Sequence, residues 1–159
     1  MDTYNIYKLL KEELKSITTV FYYTGQYLRD KNKTVYKVPV IYIEMPADIP
    51  IDYYGRVRCG RHAIIRLHYL SQAPFGSVEN AVQDSAVKAH ASQVMEIINT
   101  IQGAELKDEA GRLICGQCIV TGIESVTYTE TFARSVIRVM ADLYDYSGVT
   151  RVMAAVQGD

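Results

Sequence analysis

Two stretches of alternating apolar and polar side chains restrict this chain to folds built on a half-buried β-sheet. In residues 56–70 one face carries Ile65, Leu67 and Tyr69, and the other carries Ile64, Arg66 and His68. In residues 134–146 the apolar face carries Ile137, Val139, Ala141 and Leu143. Because successive residues of a strand point to opposite sides of the sheet, both stretches are predicted to be strands with one face against a core.

Two amphipathic helices are predicted to cover that core. Residues 3–16 form the first, with Asp2 or Thr3 as its N-terminal cap. Its apolar residues recur three and four positions apart: Ile6, Leu10, Leu14 and Ile17. The second helix is predicted from Ser77, which can cap the first turn, to Ile101. Its apolar stripe consists of Val87, Ala91, Val94, Ile98 and Ile101, flanked by Val82, Ala86 and Ile97.

The remaining segments are predicted to be further strands and polar connections. Strands are expected at residues 18–23, 35–44 and 113–128, where β-branched and aromatic residues are concentrated. Pro39 cannot donate a ladder hydrogen bond, so residues 35–44 are expected at a sheet edge or to contain a bulge. Loops are expected at residues 29–33, 45–55 and 102–111, and the last of these could include a hairpin.

The order of these elements predicts an α+β fold. Most neighbouring strands have no helix between them, and antiparallel pairing then needs only short connections. We therefore expect one domain over residues 1–159: a single, mostly antiparallel sheet with an N-terminal helix and a long central helix packed on one face. Residues 147–159 are expected to form a C-terminal tail. The 48% apolar and 22% charged composition is typical of an ordered chain.

The charge balance and the cysteine count argue against several classes of protein. A net charge of −1 provides no overall basic field for nucleic acid or an anionic membrane. The first residues resemble no signal or transit peptide, and no apolar run is long enough for a membrane span. Three cysteines cannot form a complete disulfide framework, which favours a reducing intracellular compartment. The 13 tyrosines are suited to partly solvent-exposed surfaces, either as strand residues or at an interface between proteins.

Cys115 and Cys118 stand in C-x-x-C spacing and allow three interpretations. A thioredoxin-type redox pair needs its first cysteine at a helix N-terminus after a strand, whereas this pair lies in a stretch predicted to be strand. A structural zinc site needs four ligands, and Cys59 and His62 in C-x-x-H spacing could supply the other two. The third interpretation treats both cysteines as small buried strand residues.

Other chemistry-bearing residues form no recognisable catalytic arrangement. The three histidines stand in no pattern with serine or cysteine that indicates a nucleophile and its base, and no phosphate-binding or zinc-protease motif is present. Asp48 and Asp52 could hold a cation or simply form turns. Arg56, Arg58 and Arg61 could contact phosphate or an acidic partner, or could protect a sheet edge. We therefore predict a protein that is not an enzyme and has no cofactor.

Several sequence segments resemble those of tailed-bacteriophage tail terminator and tail completion proteins. They are VPVIYIE, GRHAIIRLHYL, SVENA and RSVIRVMADLYD, with LHYL before a loop and helix and LYDY at the close. The resemblance covers residues 3–146. It implies a hexameric ring on the tail tube that helps to join the tail to the head. The implied partners are other copies of the chain, the tail tube protein and the head-completion protein. No membrane or specific nucleic-acid contact is implied, although the implied ring would let DNA pass through it.

The resemblance also implies a setting and a contact surface. The setting is a bacterial host cytoplasm during virion assembly, often from a prophage, and then the virion tail. The expected subunit or partner interface consists of Asp48, Asp52, Tyr53, Tyr54, Arg56, Arg58 and Arg61, where opposite charges could pair between neighbouring subunits. The alternatives are a small zinc-binding or nucleotide-handling α+β enzyme, built on the cysteines and His62, and a generic protein-binding adaptor.

Overall fold

The computed structural model describes residues 1–26, 37–73, 83–128 and 132–149. Within them lie helices α1 (Thr3–Leu14) and α2 (Asp84–Ile101). The first strands are β1 (Thr19–Tyr22), β2 (Val40–Glu44), β3 (Ile51–Tyr54) and β4 (Val57–Gln72). The later strands are β5 (Leu106–Lys107), β6 (Leu113–Cys115), β7 (Ile119–Tyr128) and β8 (Phe132–Asp145).

A long antiparallel pair, β4 and β8, forms the centre of the sheet. Strands β2 and β3 follow one another along the outer edge of β4. In the same way, β7 and β6 follow one another along the outer edge of β8. Strand β1 lies outside β2, and β5 lies outside β6. The sheet therefore has two continuous central strands, each flanked by two shorter strands placed end to end.

The predicted α+β class is confirmed, but the sheet is mixed. Strand β1 runs parallel to β2, with Thr19 opposite Val40, whereas the other described pairs are antiparallel. A parallel pair needs a crossover connection, and residues 23–39 between the two strands are long enough to provide one. The prediction of antiparallel neighbours therefore fails at this pair because the connection is not a tight turn.

The core lies between the two helices and one face of the sheet. Helix α1 buries the predicted Ile6, Leu10 and Leu14, and the Asp2 carboxylate caps it by accepting a hydrogen bond from the Asn5 amide at 3.0 Å. The predicted apolar faces of both long strands are buried in the same cluster. On α2, however, Ala91 is exposed and His90 is buried, so the predicted stripe is rotated slightly.

Three sequence predictions are corrected by the strand boundaries. Strand β2 begins after Pro39 and lies between β1 and β4, so it is not a sheet edge. The loop predicted at residues 45–55 contains β3, and the single strand predicted at residues 113–128 is broken into β6 and β7. The hairpin allowed at residues 102–111 is present as β5 and β6.

Some predictions fall outside the described residues: the loop at residues 29–33, the helix start at Ser77 with Val82, and the tail from residue 150 onward. Within the described part of the chain, neither helix is long and apolar enough to cross a membrane.

Candidate functional site

The β3–β4 hairpin holds most of the residues predicted to form an interface. Tyr54 pairs with Val57 across a two-residue turn of Gly55 and Arg56. Gly55 has a φ of +62°, which glycine adopts without the penalty that a side chain would carry. We call residues 51–60 the hairpin arm. Arg56 lies in its turn and not on a strand, so the strand predicted over residues 56–70 begins one residue later, at Val57.

Strand β3 is exposed on both of its faces. Ile51 and Tyr53 lie on one side with exposed fractions of 45% and 71%, and Tyr54 lies on the other side at 50%. A strand at the border of a folded domain normally buries one face against its core. Among the described strands, β3 pairs with β4 alone. The arm therefore offers apolar and aromatic surface, and one strand edge without a partner in the described part of the chain, to another molecule.

Asp52 and Arg58 on the arm have partners inside the chain. Arg61 Nε lies 3.3 Å from Asp52 Oδ2, and its guanidinium carbon lies 5.3 Å from the centre of the Tyr54 ring. Arg58 Nη2 lies 2.7 Å from Asp145 Oδ2. The predicted pairing of Asp52 with arginine thus occurs within one chain here, while Asp48 is exposed in the loop before β3. An interface role for these residues stays a prediction.

Asp145 anchors the base of the arm. It accepts a hydrogen bond from the Ser147 amide at 2.9 Å and lies 2.9 Å from the Met1 ammonium, in addition to its contact with Arg58. Burial alone would raise the pKa of Asp145, but the hydrogen bonds from Ser147 and the ammonium lower it well below its usual range. The carboxylate therefore stays charged and holds β4 to the end of β8.

The cysteine pair lies at the break between β6 and β7, which the sequence did not predict. Both side chains are fully buried, and their Sγ atoms are 3.9 Å apart. Cys59 is buried on β4 and His62 is exposed at a bulge of that strand. Among the residues that the structure describes, no group of three or more histidine, cysteine or acidic side chains could hold a metal ion. The four-ligand zinc arrangement is therefore not formed.

A buried histidine on α2 links the helix to the sheet, and the sequence analysis missed it. His90 Nδ1 lies 2.6 Å from the Ser71 hydroxyl on β4, and Nε2 lies 2.7 Å from the Ser135 hydroxyl on β8. Neutral imidazole has one donor and one acceptor nitrogen, so one serine donates to the ring and the other accepts from it. Beside this cluster is a cavity of about 630 Å³, also lined by Tyr69.

A second histidine, His68, is buried on the sheet face opposite the helices. Its Nε2 lies 2.6 Å from Glu44 Oε2, and its ring stacks on Tyr23 with centres 4.2 Å apart. Burial lowers the pKa of His68 although the hydrogen bond to Glu44 opposes this, and burial also lowers the pKa of His90. Both imidazoles thus favour the neutral form in the folded chain.

Acid should therefore destabilise the fold through these two histidines. The unfolded chain binds protons at these histidines at higher pH than the folded chain does. The stability that the neutral histidines contribute is therefore fully present above their pKa in the unfolded chain. It falls as pH drops from that value toward the lowered folded pKa. We expect the thermal midpoint to decrease between about pH 7 and about pH 5. The variant His90→Gln should show a flatter pH profile, and His62→Asn should retain the wild-type slope.

Neither a scan against protein-family models nor a search of curated proteins finds a match to this chain. Over the residues that the structure describes, the fold and the candidate site define an α+β protein with a mixed eight-stranded sheet, a two-helix layer on one face and a solvent-exposed hairpin.

Proposed function

We propose that the chain is a structural protein that assembles with copies of itself into a ring, as tail terminator proteins of tailed bacteriophages do. The observation that carries the proposal is the hairpin arm, which exposes Ile51, Tyr53 and Tyr54 on its two faces. Tyrosine is enriched in protein interfaces because its ring packs while its hydroxyl keeps a polar partner. Contact with a neighbouring subunit would cover these side chains.

A ring needs a second, different surface to receive the arm, because only head-to-tail contacts close into rings of more than two subunits. An aromatic patch formed by Tyr4, Tyr7 and Tyr22 suits this role. The Tyr7 ring centre lies 5.8 Å from that of Tyr4 and 5.1 Å from that of Tyr22, and the outer two tyrosines are exposed at 59% and 36%. The patch joins α1 to strand β1.

The tip of the arm is distant from the Tyr22 end of the aromatic patch in the same chain. Strand β1 is aligned through β2 with Leu67 of β4, because Tyr22 pairs with Ile43 and Ile43 pairs with Leu67. The tip of the arm is at Val57 of the same strand. At about 3.3 Å per residue these positions are separated by roughly 30 Å. Contact between the arm of one copy and the Tyr22 end of the patch of the next would give an open or closed head-to-tail chain.

The resemblance of the sequence to tail terminators supports the setting of this assembly. Under the proposal the ring caps the tail tube in the bacterial host cytoplasm and stays in the virion tail. Its other partners are then the tail tube protein and the head-completion protein, and no reaction is assigned to the chain.

Light scattering over a concentration series tests the arm. We expect the wild-type chain to form a species of about six subunits, and Tyr53→Ser/Tyr54→Ser to raise the dissociation constant by at least tenfold, or about 1.4 kcal/mol per contact. Met95→Ser is the matched control, since it removes a side chain that is 52% exposed on α2, away from the arm. Equal masses for the wild type and the arm variant would contradict the proposal.

Mixing two defective variants tests the head-to-tail geometry. The arm variant keeps an intact aromatic patch, and Tyr4→Ser/Tyr22→Ser keeps an intact arm. Each alone should be monomeric, whereas the mixture should form one arm-to-patch contact and stop at a heterodimer. A mixture that stays monomeric would show that the arm binds a surface other than the patch.

A further inference from the structure

The backbone between β6 and β7 brings two thiols together that a strand would hold apart. In an extended strand, residues three positions apart are about 10 Å distant and point to opposite faces. Here the Sγ atoms of Cys115 and Cys118 are 3.9 Å apart, close enough for a weak hydrogen bond between them. The chain must therefore bend at Gly116 and Gln117, and both sulfurs lie on the same side of that bend.

Three backbone hydrogen bonds hold the bend in place. The Gly116 amide donates to the Asp142 carbonyl on β8 at 2.8 Å. The Cys118 amide donates to the Ala104 carbonyl, and the Gly103 amide donates to the Cys118 carbonyl, both at 2.8 Å. The two cysteines are thus fixed from β8 on one side and from the end of α2 on the other. The proximity of the sulfurs is a property of the ordered backbone.

The third cysteine is not positioned to join this pair. Cys115 pairs with Leu143 on one edge of β8, and Cys59 pairs with Tyr144 on its other edge. Two strand spacings separate their backbones by about 10 Å, which exceeds the Cα separation that a disulfide can bridge, about 7 Å. A disulfide between Cys59 and Cys115 is therefore excluded in the ordered fold.

We propose that Cys115 and Cys118 are an oxidation site that closes to an intrachain disulfide when the folded protein meets a small disulfide oxidant such as glutathione disulfide. Closing the bond requires the sulfurs to approach from 3.9 Å to about 2.05 Å. This shift is small enough for side-chain rotation at an existing bend. A redox role for the C-x-x-C pair thus rests on a bend between strands and does not require a helix N-terminus.

The reaction proceeds in two exchange steps. The Cys118 thiol loses its proton, and the thiolate attacks one sulfur of glutathione disulfide, which releases one glutathione thiolate and leaves a mixed disulfide on Cys118. The Cys115 thiol then loses its proton and attacks the Cys118 sulfur, which releases the second glutathione thiolate. Two thiols are oxidised to one disulfide, and one glutathione disulfide is reduced to two glutathione molecules.

The environments of the two thiols favour Cys118 as the first nucleophile. The hydrogen bond with Cys118 and burial raise the pKa of Cys115, whereas the hydrogen bond from Cys115 lowers the pKa of Cys118 against the effect of burial. Access requires local opening, and we expect it at the short strand β6. It has three residues and a single aligned pair with β8.

Mass spectrometry of the full chain tests the proposal directly. Trypsin cleaves after Arg112 and Arg134 and so releases both cysteines on residues 113–134, while Cys59 leaves on residues 59–61. After native protein is incubated with glutathione disulfide, residues 113–134 should lack two hydrogens and carry no glutathione. Treatment with a reducing agent should restore the original mass.

Cysteine variants distinguish formation of the Cys115–Cys118 disulfide from general reactivity of the thiols. Cys59→Ser should give the same two-hydrogen loss, whereas Cys118→Ser and Cys115→Ser should lose it. Circular dichroism establishes that each variant is folded, and the wild-type peptide gives the answer without any variant. The proposal is overturned if residues 113–134 keep their full mass in native buffer but lose two hydrogens in urea, or if a stable glutathione adduct accumulates there.

Discussion

Replacing Ile137 with alanine should lower the free energy of unfolding by about 2 to 5 kcal/mol. Ile137 is fully buried at the centre of β8, where it pairs with Leu67 on one side and Ile123 on the other. Truncation loses the transfer free energy of the removed methyl groups and also leaves a cavity under the helix layer, since the surrounding sheet is held by its ladders. Urea denaturation with circular dichroism measures the change.

The matched control is the neighbouring isoleucine of the same cross-strand pair. Ile123 on β7 is 43% exposed, so Ile123→Ala removes the same atoms from a site that water already reaches. Its cost should stay below about 1 kcal/mol. Similar losses for the two variants would mean that the helix layer does not cover the centre of β8 as the structure has it.

Replacing His90 with leucine should cost about 2 to 4 kcal/mol of unfolding free energy, although leucine fills a similar volume. The substitution removes the hydrogen bonds to Ser71 and Ser135, and the Ser135 side chain is completely buried. A buried hydroxyl without its partner loses about 1 to 3 kcal/mol in desolvation. Thermal and urea unfolding above neutral pH, where the wild-type imidazole is neutral, isolate this effect from protonation.

A second substitution tests whether the loss of stability comes from the Ser135 hydroxyl that no longer has its hydrogen-bond partner. Adding Ser135→Ala to His90→Leu removes both partners and should recover part of the stability. The exposed His62 supplies the comparison: His62→Asn should change stability by less than about 0.5 kcal/mol, because asparagine tolerates the positive φ of 51° at that position. If the double variant is as unstable as the sum of its single changes, the serine is not coupled to His90.

The sequence was sufficient for elements whose burial follows a regular period. Helix α1 and the two central strands bury the side chains that their spacing predicts. On α2 the buried positions are His90, Val94, Ile97 and Ile101, a regular spacing of four, three and four. The prediction failed there because histidine was treated as polar, although a buried histidine with two hydroxyl partners fits the same period.

The candidate site was predicted only in part. Asp52, Tyr53, Tyr54 and the arginines were grouped by proximity in sequence, and the hairpin does bring them together. The partner of Arg58 is Asp145, which no local pattern could identify because the contact depends on the pairing of β4 with β8. The bend at Cys115 and Cys118 was hidden for a similar reason, since its hydrogen bonds come from α2 and β8.

The central strand pair also determines when the domain can form during synthesis. The main partner of β4 is β8, and the ribosome makes it only after α2, β5, β6 and β7. At about 5 to 20 residues per second, β4 waits several seconds with one edge unpaired. Such an edge is a template for pairing with other nascent chains. A chain that ends before Phe132 should therefore aggregate, whereas one that extends past Asp145 can close its own sheet.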